Sequence, residues 1–251
     1  MSNSHLSYRT SNPALNSNTF SEQINNNSSL LLDSKMTIKG TVDKTAISLV
    51  LLIASAYYTF SPNMESMILF GSIGGLILAI VTIFKKDWAP YTVPLYAILE
   101  GLALGSISYF YNTQYEGIVL QAISLTVLIL FSLLFAYRTK IIKPTENFKL
   151  GVFAATGGIV LLYFINFIMG FFGTGISLLS PQNSSMMSIG ISLAIIVVAS
   201  LNLVIDFDFI EEGAEKGAPK YMEWYGAFGL LVTLIWLYLE ILRMLAKLRS
   251  R

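Results

Sequence analysis

Seven long apolar segments, separated by short polar ones, follow one another from residue 44 almost to the end of the chain. They cover residues 44–60, 64–84, 91–111, 118–137, 148–172, 187–205 and 225–245. A bilayer core of ~30 Å needs about 20 helical residues at ~1.5 Å each, which is close to the length of these segments. The pattern therefore predicts an all-α polytopic membrane protein with about seven transmembrane helices.

Composition agrees with a lipid environment and narrows the chemistry. Of 251 residues, 54% are hydrophobic and only 12% are charged, whereas soluble domains carry about 25% charged residues. The net charge of +1 indicates no nucleic-acid partner, and the bilayer is the predicted partner. The chain has no cysteine, and its only histidine is His5 in the polar tail. We therefore expect no enzyme activity and no cofactor, because histidine-dependent triads and zinc sites are excluded from the apolar region.

The start of the chain differs from the rest. Residues 1–38 are rich in Ser and Asn and contain no apolar run of signal-peptide length near the beginning. We interpret residues 1–38 as a disordered polar N-terminal tail and residues 39–251 as a seven-helix transmembrane domain.

The distribution of Lys and Arg predicts an orientation, because short cytoplasmic loops are enriched in these residues. The tail and the loops after segments two, four and six contain them, and the loops after segments one, three and five do not. This alternation predicts a cytoplasmic N-terminus. Seven full spans would then place four basic residues outside, namely Arg243, Lys247, Arg249 and Arg251. Either the last segment is re-entrant or it spans against the rule, and we favour a span packed inside the bundle.

Charged side chains within apolar spans are costly and are therefore functional candidates. Glu100 lies about ten residues into the third segment, near mid-depth. One interpretation is a proton- or cation-binding carboxylate that faces a cavity. The alternative is a structural hydrogen bond to Gln121, Asn166 or Asn202.

Three further carboxylates lie at or within the last two spans. Asp206 and Asp208 follow the sixth apolar run, and two positions apart on a helix they point about 200° apart. One can therefore face the bundle while the other meets water, although an acidic loop at the membrane edge is the simpler interpretation. Glu240 lies inside the last apolar run, three residues before Arg243, so an intrahelical ion pair is the structural alternative to a functional role.

Glycines also occur within two of the apolar segments. Gly71, Gly74 and Gly75 in the second segment, and Gly157 and Gly158 in the fifth, lack the lysine and strand context of a phosphate loop. We interpret them as sites of close helix packing.

Several stretches carry a family resemblance: YAILEGLALGSIS, GIVLQAISLT, KLGVFAATGGIVLLY and the whole run from NLVIDFDFIEEG to the C-terminus. Together they resemble the bacterial Bax inhibitor-1-like (BaxI/YccA-type) membrane proteins. The resemblance implies seven helices with the last one central, a bacterial inner membrane, and a pH-sensitive calcium leak. It leaves open a second function, that of a non-transporting regulator or scaffold that binds other membrane proteins.

The resemblance also implies a pair of acids, one near the end of helix six and one in helix seven, that share a proton. Asp206 and Glu240 take these places here, with Asp208 competing for the first. When deprotonated they would attract Ca²⁺, which prefers hard oxygen ligands, so Ca²⁺ and H⁺ are the expected transported ions. A turn near Ala218 would, however, offset the two acids in depth by ~15 Å on straight antiparallel helices. Glu100 is then the alternative partner.

Overall fold

The computed structural model describes residues 35–251, so the predicted disorder of residues 1–34 lies outside the described residues. Within this range the chain forms seven α-helices. They are α1 (Ile38–Thr59), α2 (Ser66–Phe84), α3 (Ala89–Gln114), α4 (Ile118–Arg138), α5 (Glu146–Phe171), α6 (Met186–Glu215) and α7 (Met222–Arg249). The predicted all-α, seven-helix membrane fold is confirmed.

Six of these helices, α2 to α7, are long and apolar enough to cross a membrane. Helix α1 falls outside this group because Lys39, Asp43 and Lys44 lie in its first two turns and shorten its apolar part. It nevertheless packs against α3 and α7 and so belongs to the same bundle.

Helix α6 extends ten residues beyond the predicted end of its apolar segment, to Glu215. The chain then turns through Gly217, whose φ of 67° lies in the left-handed region that glycine tolerates best. The turn is where the sequence predicts it. The acidic stretch before it is a continuation of the helix, because Asp206 is buried against protein and the helix need not stop at the first charge.

Helix α7 is the centre of the bundle, as the resemblance implies. Two thirds (67%) of its most apolar stretch is buried, against 11% for α5. It packs against α1, α3, α4 and α6, while α2 packs mainly on α3 and α5 mainly on α6. Tyr96 of α3 meets Phe228 edge-on at 5.1 Å, and Ser108 of α3 shares a 2.6 Å hydrogen bond with Tyr238.

The helices alternate in direction, so the loops gather at two ends. The N-terminal end contains residues 35–37 and the loops after α2, α4 and α6, where Met36 N–H donates to Ala218 at 2.7 Å. The C-terminal end contains the loops after α1, α3 and α5 and the last turn of α7, where Arg249 donates to the carbonyl of Glu116 at 2.6 Å. Helix α7 thus runs from one end to the other, as expected for a packed span and not for a re-entrant segment.

Residues 35–37 dock on the start of α7. Thr37 donates to Oε1 of the fully buried Glu223 through its backbone N–H (3.0 Å) and its hydroxyl (2.9 Å). Lys35 forms an isolated β-bridge with Pro219. The tail predicted for residues 1–38 therefore includes, in residues 35–37, a segment that packs on the bundle.

Close helix approach depends on glycines in α2 and α3. A side chain at Gly105 would overlap the backbone carbonyl of Ala56 in α1, and one at Gly71 would overlap the carbonyl of Leu99. The interpretation of the α2 glycines as packing positions is confirmed. It is wrong for Gly157 and Gly158, where an added Cβ meets nothing within 4 Å because α5 is largely unpacked in the described bundle.

These glycines predict a stability contrast. Gly105→Ala should destabilise the protein by about 1–3 kcal/mol, because the new methyl group pushes α1 away from α3. The matched variant Gly157→Ala should leave stability unchanged or slightly raised, since alanine has the higher helix propensity. Thermal unfolding of both purified variants in one detergent measures this contrast, and equal melting temperatures would contradict the packing geometry.

Candidate functional site

A line of buried polar side chains runs along one face of α7. Thr233, Glu240 and Lys247 are spaced seven residues apart and are 3%, 2% and 0% exposed. Seven helical residues turn through about 700° and rise ~10.5 Å, so the three side chains lie on nearly the same face at three depths. We call this row the polar line.

Helix α6 runs antiparallel beside the polar line with the same spacing. Asp206 bonds Thr233 at 2.6 Å, and Ser192 bonds Lys247 at 2.9 Å, so the register between the two helices is fixed at both places. Ala199 lies midway between these two α6 positions and takes the register position opposite Glu240; it is fully buried. The seam between α6 and α7 therefore has three layers, of which only the middle one has no polar group on α6.

The first layer contains Asp206, which is fully buried. The hydroxyl of Thr233 donates to its Oδ2. An ionised carboxylate removed from water needs charge or hydrogen bonds from its surroundings. The bond from Thr233 meets part of this need.

The middle layer contains Glu240, which is ion-paired. Arg243 Nη1 lies 3.0 Å from Glu240 Oε1 and 3.1 Å from Oε2, so the intrahelical pair considered as the structural alternative to a functional role is formed. Tyr163 of α5 donates to Glu240 at 2.6 Å and accepts from Arg243 at 2.5 Å. The guanidinium also stacks over the Tyr163 ring at 5.2 Å. Glu240 is thus paired with a cation on its own helix.

The structure does not bring Asp206 and Glu240 together. Asp206 meets Thr233, seven residues before Glu240, which places Glu240 about 10 Å further along α7. The direction of this offset is the one expected for a chain that turns near Ala218. An acid facing Glu240 across the seam would have to stand at Ala199, so the carboxylate dyad that the resemblance implies is not formed by this pair.

Asp208 points to a different side of α6, as the 200° offset predicts. Its carboxylate lies 2.5 Å from Lys149 of α5, and its side chain is 24% exposed. Tyr137 of α4 donates to Asp208 at 3.4 Å and also bonds Glu211. This cluster joins α4, α5 and α6 at the N-terminal end and does not compete with Asp206 for the seam.

Glu100 lies apart from the other acids. Its half-buried carboxylate packs against Gly75 of α2 and makes no hydrogen bond or ion pair with residues 35–251. The three partners considered for it bond elsewhere: Gln121 to Arg249, Asn166 to Ile176 and Asn202 to Thr156. Glu100 is therefore neither the alternative partner of Asp206 nor part of the polar line.

The described residues do not form a resident calcium site. No group of three or more Asp, Glu or His side chains within residues 35–251 could hold a metal ion, and Ca²⁺ takes six to eight oxygen ligands. The two acids expected to bind Ca²⁺, Asp206 and Glu240, lie in different layers with different partners.

Comparison with known proteins identifies the family. The model of the family described as Bax inhibitor 1 like matches residues 12–250, nearly the whole chain. The chain belongs to the Bax inhibitor 1 like family. No curated protein and no solved structure matches it.

Three residues of the seam in this Bax inhibitor 1 like chain are missing from the sequence prediction. Thr233, Ser192 and Ala199 carry no charge, and hydropathy draws attention only to charged positions in apolar runs. A signal does exist in the seven-residue spacing of Thr233, Glu240 and Lys247. It becomes informative only once α7 is known to be central, because the same spacing on a lipid-facing helix would have no partner.

The Glu240–Arg243 pair predicts non-additive effects on stability. Glu240→Gln should destabilise by about 2–3 kcal/mol, less than a fully buried pair, because the Arg243 side chain is 26% exposed. The double variant Glu240→Gln with Arg243→Met should lose less than the sum of the single variants, since no buried charge is left alone. Thermal unfolding of the four proteins tests this, and strictly additive losses would contradict the pairing.

Proposed function

We propose that this Bax inhibitor 1 like protein is a pH-sensitive calcium or cation leak whose path follows the α6–α7 seam, with Asp206 as the acid that gates it. The single observation that carries the proposal is the position of Asp206. It is a fully buried carboxylate in a membrane-spanning helix, held against the central helix by Thr233. Such an acid is costly to keep, and an intramembrane carboxylate is a functional candidate for that reason.

The different surroundings of Asp206 and Glu240 support different roles for them. Glu240 is neutralised by Arg243 at 3.0 Å, so an incoming cation meets an ion pair there and not a free charge. Asp206 accepts a hydrogen bond from the Thr233 hydroxyl. In the proposed path Asp206 supplies the charge that attracts a cation, and Glu240 provides carboxylate oxygens one layer further along α7.

The sign of the pH dependence follows from the charge of the acid. Deprotonated Asp206 is negative and attracts Ca²⁺ into the low-dielectric seam, where charge interactions are strong. Protonated Asp206 is neutral and loses that attraction. Cation flux should therefore fall as the pH falls.

The proposal includes an orientation. The basic loops after α2, α4 and α6 share the N-terminal end, where Lys35 also lies. By the distribution of Lys and Arg this end faces the cytoplasm, and we assign the protein to a bacterial inner membrane.

Liposome flux tests the gating acid. The full chain, reconstituted with a Ca²⁺ indicator inside, should show flux at pH 8 that declines toward pH 6. Asp206→Asn should remove most of the pH dependence, because the acid that loses its charge is gone. Asp43→Asn is the matched control, since Asp43 is exposed on α1 and away from the seam.

Two results would contradict the proposal. One is flux in Asp206→Asn with the pH dependence of the unmodified protein. The other is no flux above empty liposomes at any pH from folded protein, which would favour the alternative of a non-transporting regulator of other membrane proteins.

A further inference from the structure

Lys247 is a lysine that the proposed gating leaves unexplained. Its side chain is fully buried although it lies within three residues of the end of α7. No carboxylate within residues 35–251 forms an ion pair with it. A lysine so close to a helix end could extend to water at little cost, since its stem is flexible and four carbons long.

The ammonium group instead occupies a cage of neutral oxygens. Nζ donates to the carbonyl of Leu178 at 2.9 Å, to the hydroxyl of Ser192 at 2.9 Å and to the carbonyl of Ser188 at 3.4 Å. All three N–H groups of the ammonium thus have acceptors. Carbonyl and hydroxyl oxygens arranged in this way are also the ligands that replace the hydration shell of a permeating monovalent cation.

The cage lies directly beyond Glu240 on the polar line. Lys247 is seven residues further along α7 on the same face, about 10 Å toward the C-terminal end. A cation that leaves the level of Glu240 along the seam reaches the cage next and finds a cation already in it.

The same ammonium group holds the loop between α5 and α6 against α7. Leu178 belongs to the loop 172–185 between α5 and α6, and its carbonyl is held by both Lys247 and the Ser188 hydroxyl (2.7 Å). The neighbouring Leu179 is only 7% exposed. Removing the ammonium removes the bond that joins this loop to the central helix.

We propose that Lys247 is a tethered cation that plugs the C-terminal exit of the seam by filling an oxygen cage and holding the loop 172–185 closed. The proposal rests on the proposed cation path for its transport consequence, but the closure of the loop can be measured without transport. Opening then requires the ammonium to leave the cage.

Chemical labelling tests the closure. Because the chain has no cysteine, Leu179→Cys introduces a single thiol that is buried when the loop is closed. Its reaction with a maleimide, in protein reconstituted in liposomes and exposed to reagent on both sides, should speed up about tenfold or more when Lys247→Met is added. That ratio is expected for the loss of a hydrogen bond from a charged donor. Lys39→Met, an exposed lysine on α1, is the matched control and should not change the rate.

Flux of a monovalent cation such as Tl⁺ at pH 8 is the second measurement, and Lys247→Met should raise it. Faster labelling with raised flux supports the plug. Faster labelling with no flux from any variant supports the closure and overturns the cation path. An unchanged labelling rate in folded Lys247→Met overturns the plug. If that variant does not fold, Ser192→Ala, which removes one oxygen of the cage, should give a smaller increase in labelling, and no increase overturns the proposal.

Discussion

A charged or strongly polar side chain survives inside a bilayer only when protein groups replace the water that it has lost. In this protein the central helix α7 supplies that environment, because α1, α3, α4 and α6 surround it. Asp206, Glu240 and Lys247 are all nearly or fully buried against it or on it. Each has a partner of a different kind: a hydroxyl, a guanidinium, and a set of carbonyl and hydroxyl oxygens.

The same constraint accounts for the basic residues at the end of α7, which lies at the opposite end of the bundle from the basic loops after α2, α4 and α6. Arg243 is paired with Glu240, Lys247 is held in its cage, and Arg249 bonds the start of α4. These basic side chains are bonded to other parts of the protein, unlike the free Lys and Arg side chains of a loop. A central helix can therefore finish in basic residues at the end of the bundle where the loops after α1, α3 and α5 contain no Lys or Arg.

The sequence predicts the fold well and the site only in part, for physical reasons. Apolar runs of sufficient length mark the helices, although hydropathy places the end of α6 at residue 205 because a charge interrupts the run, whereas the backbone remains helical to Glu215. Asp206 and Glu240 stand out as charges in apolar segments. Their partners do not, since Thr233 and Ser192 are ordinary in membrane helices and acquire a role only through the register of α6 on α7.

Infrared difference spectroscopy between pH 8 and pH 6 tests most directly whether Asp206 is the acid that changes charge in the seam. Acidification should produce a carbonyl band of a protonated carboxyl group in the unmodified protein. We expect this band to be absent from Asp206→Asn and retained in Glu240→Gln, because Glu240 stays paired with Arg243. A band that persists in Asp206→Asn and disappears in Glu240→Gln would contradict this assignment. It would identify Glu240, in the middle layer, as the group that takes up the proton.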